Sequence, residues 1–258
     1  MKLITKPIFD KSTRLLGTIA TALALALAAS DLGAATTIYS DNFSGSGSTT
    51  LNGATTTTGG GTWIANTIAN RDGTLVALDG SALLAFNPEI NKIYTLSMDI
   101  AFTQTSRYIF MGFSSNTIAS PGASLAADRF NGANQKAYPY MAILSGGTIQ
   151  SAESNGGTLF DGTSTATVGS VHQYKIVLNT AGDGTSFKAS FYFDGDVFAS
   201  DAVIDYDTVE NINYVGFSSR QPTGTVDNFL LTVEPIPEPS AVLLGGISMI
   251  ALLRRRRN

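Results

Sequence analysis

The sequence predicts an all-β fold: a two-sheet antiparallel β-sandwich of jelly-roll type, flanked by an N-terminal signal helix and a C-terminal hydrophobic helix. Three observations carry that expectation. Apolar and polar residues alternate with period two through most of the interior. Clusters of Gly, Ser, Asn, Asp and Thr separate those runs and supply turn geometry. Between residues 36 and 234 no run of ten or more residues has the period of an amphipathic helix. Ten or more antiparallel strands in one domain call for two packed sheets.

The first element is not part of that domain. Lys2, Lys6, Lys11 and Arg14 precede a stretch, Leu15 to Ala29, made only of Gly, Thr, Ala, Leu and Ile. This is the charged and then apolar layout of an export signal. A spanning anchor needs ~20 apolar residues, and this run is shorter and is followed by polar sequence. Residues 1–35 therefore read as a signal peptide, cleaved after Ala35 or after Ser30; small residues at both sites leave the choice open.

Residues 36–234 read as one β-sandwich domain, a length commonly folded as a single all-β unit. In "YTLSMDIAF", Tyr94, Leu96, Met98, Ile100 and Phe102 share one side and Thr95, Ser97, Asp99 and Ala101 the other. "FKASFYFDGDVFAS" repeats the rule and turns at Asp194-Gly195, a pair that favours the positive φ of tight hairpins. Further strands are expected at "TIYSDNF", "TLVALDG", "ALLAF", "RYIFMGFSS", "YPYMAILSG", "HQYKIVLN", "INYVGFSS" and "VDNFLLTV". The run "SGSGSTTLNGATTTTGGG" is of low complexity and reads as a surface loop tolerant of length.

Charge narrows the functions this domain can have. Lys plus Arg fall from 16 to 8 when four are removed at each end, whereas Asp plus Glu from residue 36 to Glu238 number 20 − 2 = 18, about −10 in all. So acidic a domain is unsuited to nucleic acid or anionic lipid, both of which need a basic surface. The absence of cysteine excludes disulfides, thiol catalysis and thiolate zinc sites. With a single histidine, His172, a His-rich metal site or a Ser-His-Asp triad is hard to build, and His172 reads as a polar position at a strand start.

Three chemistries remain to be weighed. Retaining glycosidases need two carboxyl groups about 5–5.5 Å apart. Glu89, Glu153, Glu210, Glu234 and Glu238 are not paired at alternating strand positions, and Asp194/Asp196 read as a hairpin turn, so no catalytic residue is assigned and the domain is not expected to be an enzyme. Asp41-Asn42 and Asp227-Asn228 stand on what should be the first and last strands, which commonly neighbour each other. Their oxygens could share one structural Ca²⁺, or simply cap strand ends and turns. Trp63, Tyr138 and Tyr140 could offer flat faces to a sugar ring, or belong to the core.

The chain closes with "EPIPEPSAVLLGGISMIALLRRRRN". Pro235, Pro237 and Pro239 keep the backbone extended. Ala241 to Leu253 is too short to span a ~30 Å core comfortably at ~1.5 Å per residue. Arg254, Arg255, Arg256 and Arg257 nonetheless resist translocation and hold that helix in the membrane with the tail inside.

Together Pro237-Glu238-Pro239, the short apolar helix with Gly245 and Gly246, and the terminal arginine cluster resemble the PEP-CTERM sorting signal of Gram-negative bacteria. The resemblance covers residues 235–258 and implies an exosortase as processing partner, an inner-membrane-retained precursor, and a mature protein at the cell surface or in an exopolysaccharide matrix. It implies nothing about the domain upstream. By strand order, residues 171–233 resemble the second half of concanavalin A-like and laminin-G-like sandwiches. The expected function is structural or adhesive in association with exopolysaccharide, with a lectin-like carbohydrate-binding module as the alternative.

Overall fold

The computed structural model describes residues 34–44, 48–65, 70–72, 75–77, 80–102, 108–114, 137–143, 147–152, 158–182, 185–204, 209–220 and 224–236. Sixteen strands run through them. They are β1 Thr36–Asp41, β2 Ser48–Thr50, β3 Ile64–Ala65, β4 Asn70–Asp72, β5 Leu75–Ala77, β6 Ser81–Ala85, β7 Lys92–Phe102 and β8 Tyr108–Ser114; then β9 Ala137–Ile143, β10 Thr148–Ala152, β11 Thr158–Thr165, β12 Val171–Asn179, β13 Phe187–Phe193, β14 Asp196–Ile204, β15 Tyr214–Arg220 and β16 Gly224–Pro235. One sheet has the order β14-β13-β12-β7-β16-β5-β4-β2, with β1 also on β16; the other has the order β11-β10-β9-β8-β15-β6-β3. The pairings are antiparallel, as expected of a two-sheet sandwich.

Period-two alternation explains the first sheet. In β7, Tyr94, Leu96, Met98, Ile100 and Phe102 are buried and the residues between them are half-exposed. Tyr174, Ile176 and Leu178 of β12 lie opposite Met98, Leu96 and Tyr94 on the same face. Ile109, Met111 and Phe113 of β8 with Val215 and Phe217 of β15 close the core from the second sheet. Each large apolar side chain so buried stabilises the fold by roughly 2 kcal/mol. The second sheet is buried on its other face as well, where Leu83, Phe110, Tyr140 and Ala142 are at most 4% exposed.

Strand β16 changes partners along its length. Thr225 and Val226 pair with β5, and Phe229 to Val233 pair with β1. The ladder to β7 is bulged between Asp227 and Leu230, at the switch, where Asn228 takes a φ of 51°. An extra residue there re-aims the side chains on either side. The first and last strands are therefore neighbours, and Thr36 lies opposite Val233.

Two expectations are corrected. The low-complexity stretch is no loose loop in its described part, 48–61: Leu51 is fully buried, and Thr55–Thr62 and Ser40–Thr58 form β-bridges. Gly59 supplies the positive φ of that hairpin, and a Cβ there would lie 1.8 Å from the carbonyl oxygen of Ile38. Strands β2, β3, β4, β10 and β11 were not expected from the sequence. Residues Ala35–Ile236 form one compact unit. No helix among the described residues is long and apolar enough to cross a membrane. The signal segment up to residue 33, and Pro237, Glu238, Pro239 and Arg254 to Arg257, lie outside the described residues.

Candidate functional site

Asp41 ends β1 and faces the core, 1% exposed. Its Oδ2 accepts the indole N–H of Trp63 at 2.7 Å, and its Oδ1 accepts the N–H of Phe43 at 2.8 Å and the hydroxyl of Thr57 at 3.3 Å. Asn42 is exposed and its Oδ1 accepts the N–H of Ser44, the pattern of a turn cap. Alternation puts Val226 in the core and Asp227 on the opposite, outer face, across from Asp99 of β7. Asn228 donates its side-chain N–H to Asp99 at 2.8 Å and its backbone N–H to Asp227. The two strands are adjacent, as expected; Asp41 turns inward onto Trp63 while Asp227 lies opposite Asp99 on the outer face. Ligation of one Ca²⁺ by all four would require Asp41 to give up its buried bond to Trp63. No group of three or more His, Asp or Glu able to hold a metal occurs among the described residues.

Two of the three expected sugar platforms, Trp63 and Tyr140, are corrected too. Trp63 is 0% exposed, packed on Phe229 at 5.1 Å, Phe217 at 5.6 Å and Phe43 at 5.8 Å between ring centroids. It joins the two sheets and presents no face to a ligand. Tyr140 is 4% exposed beneath the outer side of the second sheet, stacked edge-on against Phe110, and burial pushes its phenol up to about 12. Tyr138 is the second residue of β9, and its side chain lies outside the described residues.

His172 has both ring nitrogens engaged. Nε2 accepts the backbone N–H of Thr167 at 3.0 Å, so the neutral ring carries its proton on Nδ1 and donates it to Asp194 at 2.7 Å. Asp194 sits at φ 50° in the Asp194-Gly195 turn and also accepts the N–H of Gln173. This pair ties a turn to a strand start, as the sequence suggested for each.

A cleft of about 540 Å³ opens where β1, the end of β16, and the connection from β6 to β7 converge. That volume suits a small ligand. Ile38 and Val233 give it an apolar side; Tyr39, Asn87, Glu89 and Lys92 give it a polar one, and Tyr94 closes it. The ring of Tyr39 lies against the glycine run: a Cβ on Gly61 would come within 2.7 Å of it. Its hydroxyl donates to the carbonyl of Ala85 at 2.9 Å, bridging the two sheets. Tyr94 Oη accepts the N–H of Glu89 at 2.7 Å; burial pushes its phenol up and the Glu89 carboxylate adds to that, against the backbone N–H. At the rim the Glu89 carboxylate and Lys92 ammonium stand 3.8 Å apart, Glu89 well exposed and Lys92 only partly so.

As site residues, sequence reasoning missed all six polar and aromatic residues of the cleft, Tyr39, Phe86, Asn87, Glu89, Lys92 and Tyr94. Tyr39 stands within "TIYSDNF", but its neighbours come from Gly59 and Gly61, which pattern alone does not bring to it.

No protein-family model and no curated protein matches the chain. Solved structures are similar to it. An endo-1,3-β-glucanase from Streptomyces sioyaensis shares 11% identity over 77% of this chain and 96% of its own, with a TM-score of 0.47. A Trypanosoma rangeli sialidase in complex with a difluorinated KDN shares 12% identity over 76% of this chain, with a TM-score of 0.50, but over only 30% of its own chain. The lectin UEA-II, complexed with galactose, shares 11% identity over 66% of this chain and 92% of its own, with a TM-score of 0.48. At such identities the likeness is one of fold alone, and it falls on enzymes and lectins alike.

Proposed function

We propose that this chain is an exported envelope or extracellular-matrix protein whose sandwich binds a polysaccharide in the Tyr39–Tyr94 cleft. The observation that carries the binding reading is the composition of that cleft: an aromatic face braced from behind by glycine backbone, beside an amide, a carboxylate and an ammonium. The C–H face of a sugar ring packs on an aromatic ring. Asn87, Glu89 and Lys92 offer both donors and acceptors to its hydroxyls. Binding without hydrolysis is the better reading, because among the described residues Glu89 is the one carboxylate lining the cleft and two are needed for the usual glycosidase mechanism.

Export and sorting rest on sequence. Residues 1–35 would direct the chain across the inner membrane, Ala241–Leu253 with Arg254–Arg257 would halt it, and an exosortase would act at Pro237-Glu238-Pro239. The matrix polysaccharide then meets the domain where it is released.

A glycan array probed with the full chain and with Asn87→Ala and Tyr39→Ala tests the binding reading. Asn87 is exposed, so its loss leaves the fold intact. Binding of the wild type that drops at least about tenfold in both variants is expected, a loss of about 1.4 kcal/mol. Equal binding by all three proteins moves the site elsewhere, and no binding by the wild type leaves the structural or adhesive role.

A further inference from the structure

We infer that Thr180, which does not line the cleft, is the positioning residue that sets the geometry of its polar rim. Thr180 follows β12 and is 0% exposed. Its Oγ1 accepts the backbone N–H of Lys92 at 3.0 Å, and its own proton lies between the carbonyl oxygens of Glu89, 2.7 Å away, and Lys92, 2.9 Å away. Its backbone adds two bonds: Asn91 N–H to Thr180 O and Thr180 N–H to Lys92 O, both 2.9 Å. One residue thus engages Glu89, Asn91 and Lys92 together.

The segment it holds needs holding. Asn91 takes a φ of 58°, a conformation that costs a non-glycine residue roughly 1 kcal/mol or more. The Asn91 side chain accepts the N–H of Gly182 at 3.2 Å, and Glu89 N–H reaches forward to Tyr94 Oη. Remove the hydroxyl of Thr180 and the Lys92 N–H and Glu89 carbonyl lose a partner at a part-buried position. The carboxylate of Glu89 and the ammonium of Lys92 then lose the fixed backbone from which they reach a ligand. A valine has nearly the same shape and neither bond; a serine keeps both. Thr180 lies 88 residues from Lys92 in sequence, so no local pattern discloses the pairing.

The consequence for sugar binding rests on the reading of the cleft given above; the positioning of the rim does not. Thr180→Val and Thr180→Ser in the full chain separate the two. Hydrogen exchange at the amide of Lys92, whose acceptor the valine removes, is expected to quicken about fivefold or more in Thr180→Val and to stay near wild type in Thr180→Ser. On the same glycan array, signal is expected to fall about fivefold or more in the valine variant and to be restored by serine. Unchanged exchange in Thr180→Val, or serine behaving as valine does, overturns the inference. If the wild type binds no glycan while Thr180→Val still frees the Lys92 amide, the binding reading falls and the positioning role stands.

Discussion

The carboxylate of Asp41 accepts the indole N–H of Trp63 at 2.7 Å, and neither side chain is more than 1% exposed. This bond fastens β1 to the strand entry at Ile64, inside an aromatic cluster that draws Phe43, Phe217 and Phe229 from three further places in the chain. Asp41→Ala would strand the indole N–H and the N–H of Phe43 without an acceptor. Leaving a buried donor unmade costs about 1–3 kcal/mol, so a loss of about 2–6 kcal/mol is expected for the pair. Trp63 is the only tryptophan, so urea unfolding followed by its emission reads this directly. An unchanged midpoint in Asp41→Ala would show the bond to be incidental.

The glycine run behind Tyr39 gives a graded prediction. Gly53 and Gly59 both have positive φ, 79° and 89°, but a Cβ at Gly53 meets no atom within 4 Å whereas one at Gly59 meets backbone at 1.8 Å. Gly53→Ala is expected to cost only the conformational strain, about 1–2 kcal/mol. Gly59→Ala requires β1 to move and should lower stability by clearly more and disorganise the cleft. Thermal melts of both variants in parallel check the order; equal losses would show that strain alone matters.

Much of the fold was legible because its long strands have one buried face. The alternation in Lys92–Phe102 and Val171–Asn179 reflects burial against the same core, and period two is the direct signature of that. Strands β2, β3 and β4 are two or three residues long, too short to show a period at all. The site was harder. An aspartate at a strand end reads alike whether it turns in or out; the bulge at Asp227–Leu230 and the demand of the Trp63 N–H decide it for Asp41 and Asp227, and neither is visible in composition. Tyr39 and Thr180 owe their roles to contacts with Gly61 and Lys92, residues distant in sequence.

The sorting proposal makes two lesions behave oppositely. Replacing Arg254–Arg257 with serine removes the charge that halts translocation, each arginine costing about 3 kcal/mol at mid-membrane on insertion scales. Uncut protein should then appear outside the cell with its apolar tail attached. Glu238→Ala leaves the halt intact and should trap the full-length chain in the membrane fraction. Intact-mass analysis of both fractions measures this, and a wild-type surface form that still carries Arg257 would overturn the proposal.

The carboxyl of Asp227 yields a pH prediction of definite sign. Burial raises its pKa, the neighbouring Asp99 and Asp41 raise it further, and the N–H of Asn228 opposes them. The folded state therefore keeps this proton over a pH window in which the unfolded chain, with an ordinary value near ~3.9, has lost it. With more protons bound in the folded state, stability falls as pH rises through that window. Asp227 thus contributes stability at acid pH that is gone at neutrality, where it faces Asp99 as a like charge across the strands. Asp227→Asn should raise Tm at pH 7 by about 1–2 °C, from roughly 0.5 kcal/mol of relieved repulsion after solvent screening. The gain should shrink towards pH 4. Because Asp41 and Asp227 face opposite ways, wild-type melts in millimolar Ca²⁺ and in EDTA should superimpose. A calcium-dependent rise in Tm that Asp227→Asn abolishes would instead show that the carboxylate repulsion is answered by an ion rather than by a proton.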